Sequence, residues 1–455
     1  MARMTFEAFR KNLFSQAKEK GFTDYELYYS GGNAFSIRVF GGEIQEYKDT
    51  NTEGVGFRGT FGNKMGYAYT ENLDSDVIPQ LLENAMGNAT IIEDEEVEKL
   101  YPGDDKYEEI NSYNPALNDV ETAQKIEWAM EMEKYAKSLD PRVKMADFCI
   151  VANFENSMTI ANSYGLNLSQ KSNMAQAVVL ARVEENGQNK NALEIWMGRD
   201  FADFDYKKLA EKAVNNALSY LGASSIPSGQ YPIILNQDTA RDILGVFHSV
   251  FVAERCQKGF SLLNKGKLGE TIAASHVTLR DDAITEHSLL NLAFDAEGVA
   301  TGNKAVVENG ILKTLLYNTK SAEKDGVKST GNATKQSFGA AISTGPTNFY
   351  IAPGETSYDD MVARLKKGVI VTNMAGLHSG VNPISGDFSV SADGYYVEDG
   401  KIVKPVEQIT VAGNFYELLK NIETVGSDLK IRVIGMSGLG APSILVNGLS
   451  IAGSQ

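Results

Sequence analysis

The order of the predicted secondary-structure elements constrains the fold more than any other feature of this sequence. An amphipathic helix, with Phe6, Phe9 and Leu13 on one face, precedes several segments in which apolar and polar residues alternate. Glycine turns such as Gly41-Gly42 join these segments, and strands joined by tight turns pair antiparallel. The sequence therefore predicts an α+β fold of mainly antiparallel sheets with flanking helices, not the regular strand–helix alternation of a doubly wound fold.

Two polar stretches divide the chain into predicted domains. Residues 223–230 are small and include Pro and Gly, so they cannot form a helix or a central strand. Because 455 residues exceed one compact core, we expect two major domains. The predicted boundaries are 1–222 for an N-terminal α+β domain, subdivided near 93–118, and 230–455 for a C-terminal strand-rich domain. In the second domain, Asn309-Gly310 and Asp399-Gly400 predict hairpins.

Charge and composition exclude several classes of function. The net charge is −16, from 59 acidic and 43 basic residues, which argues against direct binding of nucleic acid or of anionic membranes. No segment reaches the roughly 18 continuous apolar residues that span a bilayer, and the N-terminus lacks the apolar stretch of a signal peptide. Cys149 and Cys256 form no disulfide framework. We therefore expect a cytoplasmic protein without a membrane segment.

The histidines do not form a recognisable metal motif. There are four, His248, His276, His287 and His378, and no two of them lie one helical turn apart, as a zinc peptidase helix requires. His248 falls in a predicted helix and His378 in a predicted loop. If the chain were a hydrolase by an unrecognised site, these two would be its first candidates. The alternative for His248 is a structural histidine on a partly buried helix face.

Two glycine-containing segments resemble catalytic or cofactor-binding motifs in their residue types but not in their predicted structural context. Residues 54–59 follow the spacing of a dinucleotide fingerprint, but a predicted hairpin follows them where a helix N-terminus would have to face the phosphates. These glycines are better explained by strand bends or close packing. Residues 435–439 differ from the Gly-x-Ser-x-Gly elbow of serine hydrolases at the last position. The sequence predicts neither a Rossmann site nor a nucleophile elbow.

Two loops in the C-terminal half are candidate peptide-contacting segments. Residues 379–389 and 434–443 are rich in Gly and Ser yet lie between apolar strands, as functional loops often do. We expect the two loops to lie near one another and to line a cavity, with plain hairpin loops as the alternative. The candidate positions in them are Ser385, Gly386, Asp387, Ser437 and Gly438.

Several short segments, in order along the chain, resemble the TldD/PmbA family, whose members are also described as modulators of DNA gyrase. The match runs from about residue 22 to the end and is specific through the order and spacing of its pieces. These pieces are residues 37–45, 54–58, 66–71, 258–261, 269–270, 385–389, 396–401, 411–414 and 450–453.

The resemblance implies one of two kinds of subunit. One kind holds zinc through a His-Glu-x-x-x-His helix and a C-terminal Cys, and the PmbA or TldE kind lacks these ligands and pairs with the first. Here a lone His248 lies in the region of the zinc helix, and Ser437 stands where the Cys is expected. The resemblance therefore implies a PmbA/TldE-like subunit that binds no cofactor itself, with zinc expected in a TldD-like partner.

The same resemblance implies a peptide substrate, a role in proteolysis and a homodimer when the chain is alone. It also implies that His248, His378, Ser385, Gly386, Asp387, Ser437 and Gly438 are cavity or remnant-site positions. Two alternatives stay open: a peptidase that is active on its own through an unrecognised site, and a regulatory binding protein that modulates DNA gyrase.

Overall fold

A computed structural model of the chain describes residues 4–91 and 98–454. Its N-terminal half is one six-stranded antiparallel sheet in the order β3-β2-β1-β4-β5-β6. The strands are β1 (Tyr25–Phe40), β2 (Glu43–Phe61), β3 (Lys64–Thr70), β4 (Val143–Asn162), β5 (Asn167–Glu185) and β6 (Gln188–Gly198). The helices of this half are α1 (Phe6–Glu19), α2 (Ile78–Ile91), α3 (Thr122–Leu139) and α4 (Tyr206–Ser219).

The two faces of this sheet have different partners because side chains alternate along each strand. Leu27, Val55 and Phe57 pack against α1 and α2. Residues 175, 177 and 179 of β5 pack with α3 and α4. The opposite face of the same sheet is covered by the C-terminal half of the chain, which forms a shared apolar cluster with Tyr28 and Ile160.

Helix α3 begins later than the sequence predicts. The sequence predicts Asp119 as the N-cap of a helix to about Leu139, but Asp119 instead ends a short 3-10 helix (Pro115–Asn118) and donates its backbone N–H to the backbone oxygen of Ala116. Glu121 is the residue with extended backbone geometry before the first helical turn. Of the polar connector, residues 93–97 lie outside the described residues, and residues 98–114 form no helix or strand beyond a bridge between Ser112 and Ser172.

The C-terminal half begins with β7 and contains two larger sheets and a small ribbon. Its strands are β7 (Gly229–Leu235), β8 (Leu279–Asp282), β9 (Asn303–Glu308), β10 (Ile311–Leu312), β11 (Ala333–Thr334), β12 (Ser343–Thr344), β13 (Asn348–Ile351), β14 (Lys367–Ala375), β15 (Asp387–Glu398), β16 (Lys401–Asn414), β17 (Ile422–Val425), β18 (Lys430–Ile434), β19 (Ser437–Ala441) and β20 (Ile444–Ala452). Its helices are α5 (Gln237–Phe247), α6 (Ala253–Gln257), α7 (Thr319–Asp325), α8 (Tyr358–Arg364) and α9 (Phe415–Lys420).

These strands pair mostly antiparallel, as predicted. One sheet has the order β10-β9-β8-β13-β19-β18, the other β16-β15-β14-β7-β20-β17, and β11 pairs with β12. The parallel pairs are β13 with β19 and β14 with β7. Helix α5 is packed into a large core between these sheets, with Phe247 fully buried against Phe415. The α+β prediction is confirmed, while the predicted domain boundaries stay predictions.

The two halves meet where a loop of the C-terminal half lies on β2. Residues 335–342 connect β11 to β12, and the Phe338 ring covers Gly54. A Cβ atom on Gly56 would lie 2.0 Å from the backbone oxygen of Phe338. Gly54 and Gly56 therefore serve close packing between the halves, whereas Gly59 permits close packing against Phe22 within the N-terminal half. In the part of the chain that the structure describes, no helix is long and apolar enough to cross a membrane.

Candidate functional site

A cavity of about 1000 Å³ lies between the N-terminal sheet and the C-terminal half. The sheet contributes residues of β1, β2, β4 and β5, including Tyr28 and the alternating positions Gln170, Ser172 and Met174. The C-terminal half contributes residues 290–296, 331–338 and 345–347, together with Val433, Gly435 and Met436. This volume is at the upper end of the range typical of ligand pockets, so the cavity can hold an extended molecule of several residues.

Lys335 is the only basic side chain among the described residues that line this cavity. It is 7% exposed, and its Nζ lies 4.6 Å from the centre of the Tyr28 ring. Burial, followed by the charge of Arg58, lowers the pKa of Lys335 to about 8, although Glu26 acts in the opposite direction. The ammonium is therefore only partly favoured over the free amine just above neutral pH.

A buried ion pair lies beneath the same loop. Arg58 on β2 donates two hydrogen bonds to Glu26 on β1, from Nε at 2.7 Å and from Nη2 at 3.1 Å. Both side chains are almost completely buried. Arg58 and Glu297 also line a second cavity of about 390 Å³, where Glu297 accepts a hydrogen bond from the Thr319 backbone N–H at 2.8 Å. The two hydrogen bonds pair the Arg58 charge with Glu26, yet that charge still acts on Lys335 and lowers its pKa.

Asp295 and Glu297 form a buried pair of acidic residues next to these groups. Burial and the neighbouring charge of Glu297 raise the pKa of Asp295, against backbone N–H donors from Ala333, Glu297 and Val299 that lower it. Burial also raises the pKa of Glu297, partly offset by Arg58. The pair therefore keeps a proton to higher pH than free carboxylic acids do.

His248, which lies where the resemblance expects the zinc helix, follows the last residue of α5 and begins a 3-10 helix (His248–Phe251). Its Nδ1 lies 2.6 Å from the backbone oxygen of Gly245, so this nitrogen carries the proton and donates. Burial lowers the pKa of His248, which favours the neutral ring. The sequence pattern predicts one continuous helix over residues 238–254, and this prediction is wrong: the α-helix ends at Phe247 and α6 starts at Ala253.

Ser437 and Gly438 begin β19, so residues 434–443 form a hairpin with β18 and not a long loop. The Ser437 hydroxyl donates to the backbone oxygen of Pro346 at 2.7 Å. Gly438 is buried, and a Cβ there would lie 2.0 Å from Asn348 Oδ1. The hairpin turn, Gly435 and Met436, lines the large cavity. Helix α5 packs closely on β19: a Cβ atom on Gly245 of this helix would lie 3.1 Å from the Leu439 side chain.

The other predicted loop, residues 379–389, forms a compact turn of its own. Ser385 donates to Asp387 Oδ2 at 2.8 Å, and Asn414 Nδ2 donates to Asp387 Oδ1 at 2.8 Å. These two hydrogen bonds lower the pKa of Asp387. Gly386 has a φ of +85°, where a Cβ would lie 2.6 Å from the Tyr416 ring, and His378 is exposed. Within this single chain, none of these residues lines the large cavity, so a role for them in peptide contact stays a prediction.

The donors at the expected zinc position do not fit a zinc ion. His248 offers one ring nitrogen, Nε2, and Ser437 offers a hydroxyl that already donates to a carbonyl oxygen. Catalytic zinc in proteins takes three protein ligands, chiefly His nitrogen, thiolate and carboxylate. Across residues 4–91 and 98–454, no group of three or more His, Cys, Asp or Glu side chains is arranged to hold a metal ion.

The residues that sequence reasoning missed are Tyr28, Asp295 and Lys335. They are separated by up to about 300 positions in the chain, and none belongs to a motif. The sequence feature that could have indicated this site is the pair of glycines Gly54 and Gly56 in a predicted strand. Such glycines indicate that another segment packs closely on the strand, but they do not identify that segment.

The sequence matches three domains described as belonging to PmbA/TldA metallopeptidases. Residues 25–89 match domain 1, residues 115–221 the central domain and residues 228–453 the C-terminal domain. The chain is 26% identical to a Metalloprotease TldD homolog of Haemophilus influenzae, covering 98% of this chain and 96% of the relative. It is also 26% identical to Metalloprotease PmbA of Escherichia coli O157:H7, covering 94% and 92%.

Solved structures show the same architecture. A Thermotoga maritima protein described as a candidate modulator of a DNA gyrase is 31% identical, covers 98% of this chain and 100% of its own, and gives a TM-score of 0.89. TldE from Thermococcus kodakarensis is 24% identical over 98% and 100% of the two chains, with a TM-score of 0.88, and supports the fold. On the combined evidence of three consecutive domains and a full-length structural match, the chain belongs to the PmbA/TldD metallopeptidase family.

Proposed function

We propose that this chain is a non-metal-binding subunit of a PmbA/TldD-type zinc metallopeptidase complex. The observation that carries the proposal is the state of the two expected ligand positions. The Ser437 hydroxyl donates to Pro346, and His248 donates from Nδ1 to Gly245, so both groups have structural roles. A serine hydroxyl is a poor zinc ligand beside a thiolate. The hydrolytic chemistry would then come from a related TldD-like subunit that carries the zinc.

In such a complex, this chain contributes a cavity for the peptide. The large cavity combines apolar side chains, such as Met158 and Phe294, with amide side chains, such as Asn51 and Gln336. Amide groups can bond to a peptide backbone, and apolar groups to its side chains. The peptide would be positioned by this chain and cleaved by the partner.

The surface next to the cavity supports pairing with a second subunit. Strand β18 is an edge strand, and two apolar side chains at its end, Ile434 and Met436, are about half exposed. Exposed edges and apolar side chains are typical of sites that pair with another chain. We expect this surface to bind the TldD-like subunit, and to form a homodimer when that partner is missing.

The test is reconstitution with a TldD-like chain that carries His-Glu-x-x-x-His and is encoded in the same genome. We expect a stable complex in size-exclusion chromatography, one zinc per pair by metal analysis, and peptide hydrolysis that neither chain shows alone. One zinc per molecule in the isolated chain, removable by a chelator with loss of activity, would refute the proposal. So would hydrolysis by the isolated chain that His248→Ala abolishes.

Self-association is tested separately by light scattering on the purified chain. We expect a dimer that buries on the order of 1,000 Å² or more in total. The substitutions Ile434→Asp and Met436→Asp should shift it to a monomer, whereas Ile402→Asp, at a half-exposed position on a different sheet, should not. A monomer at high protein concentration would contradict the interface.

The description of the Thermotoga protein raises a second function, binding to DNA gyrase. The net charge of −16 is compatible with binding to the basic surface of a DNA-binding enzyme. Affinity capture with this chain as bait should recover the TldD-like chain in preference to gyrase if the first proposal holds. Recovery of gyrase without any family partner would favour the second function.

A further inference from the structure

Two buried polar groups on the wall of the large cavity lack a hydrogen-bonding partner within the described residues. They are the Tyr28 hydroxyl and the Lys335 ammonium, on side chains that are 4% and 7% exposed. The Lys335 Nζ lies 4.6 Å from the Tyr28 ring, so the two side chains belong to one site. Both groups face the cavity, so water or a ligand group within the cavity has to supply their hydrogen bonds.

The positive charge of Lys335 indicates that its own partner in the cavity is an anion, in a lining that otherwise carries the acidic residues Glu53, Glu71 and Asp295. Glu26, the acidic side chain whose charge raises the pKa of Lys335, is already bonded twice to Arg58. Asp295 lines the same cavity but accepts hydrogen bonds from three backbone N–H groups. A buried ammonium without a paired carboxylate is costly, and an incoming anion would remove that cost.

The rest of the lining indicates what the anion is attached to. Met158, Met174 and Phe294 provide apolar surface, and Asn51, Asn156 and Gln336 provide amide groups. The volume of about 1000 Å³ exceeds what a single small acid needs. A chain of amide groups with apolar side chains and one terminal carboxylate fits all three features.

We propose that Tyr28 and Lys335 bind the C-terminal carboxylate of a peptide that extends through this cavity. The Lys335 ammonium would make a charge-assisted hydrogen bond to one carboxylate oxygen, and the Tyr28 hydroxyl would donate to the carboxylate as well. This inference deepens the proposed function, on which the peptide nature of the ligand rests, by naming the end of the peptide that this chain holds. The lowered pKa of Lys335 agrees with it, because a bound carboxylate would raise that pKa again.

The experiment uses the intact chain without a partner and a library of N-acetylated tetrapeptides built from Ala, Leu, Met and Phe. One half of the library has free C-terminal acids and the other half has C-terminal amides, so the two differ only in the group that Lys335 would bind. Peptides retained with the protein in ultrafiltration are quantified by mass spectrometry. We expect retention of acids over amides by at least about tenfold, the effect of one hydrogen bond to a charged group.

The variants make the assignment specific. Lys335→Met should remove the preference for acids, and Tyr28→Phe should reduce it. Lys171→Met is the matched control, because Lys171 lies between the lining residues Gln170 and Ser172 but points to the other face of β5. It should retain the full preference. Circular dichroism and a thermal unfolding curve confirm that each variant is folded.

The inference is overturned by equal retention of acids and amides, by no retention of either, or by an unchanged preference in Lys335→Met. Displacement of the peptides by octanoate at equal concentration would overturn the peptide as ligand. Failure here, with partner-dependent hydrolysis intact, rejects only the carboxylate site. A preference for acids without any partner-dependent hydrolysis rejects only the peptidase role.

Discussion

Replacing Lys335 with Met should stabilise the free protein at neutral pH, which is unusual for the removal of a buried polar side chain. Lys335 is almost fully buried without a carboxylate partner, and its pKa is about 8 instead of 10.5. This difference corresponds to about 3 kcal/mol by which the folded state disfavours the ammonium. Removing the ammonium removes this cost, but it also removes the cation–π contact with Tyr28, which stabilises the folded state by about 1 kcal/mol. The expected net gain in the free energy of unfolding is therefore about 2 kcal/mol.

The pH dependence has a defined sign. Between a pKa of about 8 in the folded state and 10.5 in the unfolded state, the folded chain binds fewer protons at Lys335 than the unfolded chain. The contribution of Lys335 to stability therefore rises with pH in this window, and its full penalty is present below about pH 8. The gain from Lys335→Met should be constant from pH 6 to about 7.5 and should decrease toward pH 10.5.

The measurement is urea unfolding followed by tryptophan fluorescence, for the wild type and the variant, at pH 6, 7.5, 9 and 10. A matched control is Lys304→Met, where the lysine is paired at 3.2 Å with the fully buried Asp281. Asp281 keeps hydrogen bonds from Asn332 and Thr347, so we expect a loss of about 2 kcal/mol, of the opposite sign. A destabilised Lys335→Met at neutral pH, or a gain that does not change up to pH 10, would refute the reasoning.

Three further predictions test the junction between the halves and the remnant metal position. Arg58→Met should cost about 3–5 kcal/mol in urea unfolding, since it leaves Glu26 buried without its cation, whereas Lys134→Met, at an exposed pair with Glu131 in α3, should cost less than about 0.5 kcal/mol. Gly56→Ala should cost about 1–3 kcal/mol because its Cβ meets the backbone oxygen of Phe338, whereas Gly87→Ala in α2, where a Cβ meets nothing, should stabilise by about 0.5–1 kcal/mol. Ser437→Cys should bind no stoichiometric zinc in metal analysis, because one thiolate and one histidine are too few ligands, and one zinc per chain would contradict the assignment.

The parts of the fold that local chemistry determines could be predicted from the sequence. Asn309-Gly310 and Asp399-Gly400 form the expected hairpin turns, and all four residues have positive φ angles, which this pair of residue types tolerates. The pattern of residues 25–30 and 34–40 predicts two separate strands, but β1 runs without interruption through Gly31 and Gly32. The reason is packing across the strands: a Cβ on Gly32 would lie 2.3 Å from the backbone oxygen of Glu155. A glycine that marks a turn and one that permits close approach look the same in a sequence.

The candidate site could not be predicted for a related reason. The sequence points to His248 and Ser437 because they stand where the resembling family has its zinc ligands, and the structure places them in packed elements, at the end of α5 and at the start of β19. Lys335 belongs to no motif, and a single lysine beside Gln and Ser is typical of an exposed loop. Its burial depends on the loop of residues 335–342 lying against β2, a contact between segments about 280 positions apart.

The position of the site at this junction has a consequence for how binding and folding are coupled. Tyr28 belongs to the N-terminal sheet and Lys335 to the C-terminal half, and one apolar cluster containing Tyr28 and Phe294 joins the two. A carboxylate bound by both side chains would connect the halves and remove the penalty of the unpaired ammonium. A ligand that binds only the folded state stabilises it by an amount that grows with its concentration. Peptide acids should therefore raise the unfolding midpoint of the wild type and leave that of Lys335→Met nearly unchanged, because the variant lacks the ammonium that binds the carboxylate.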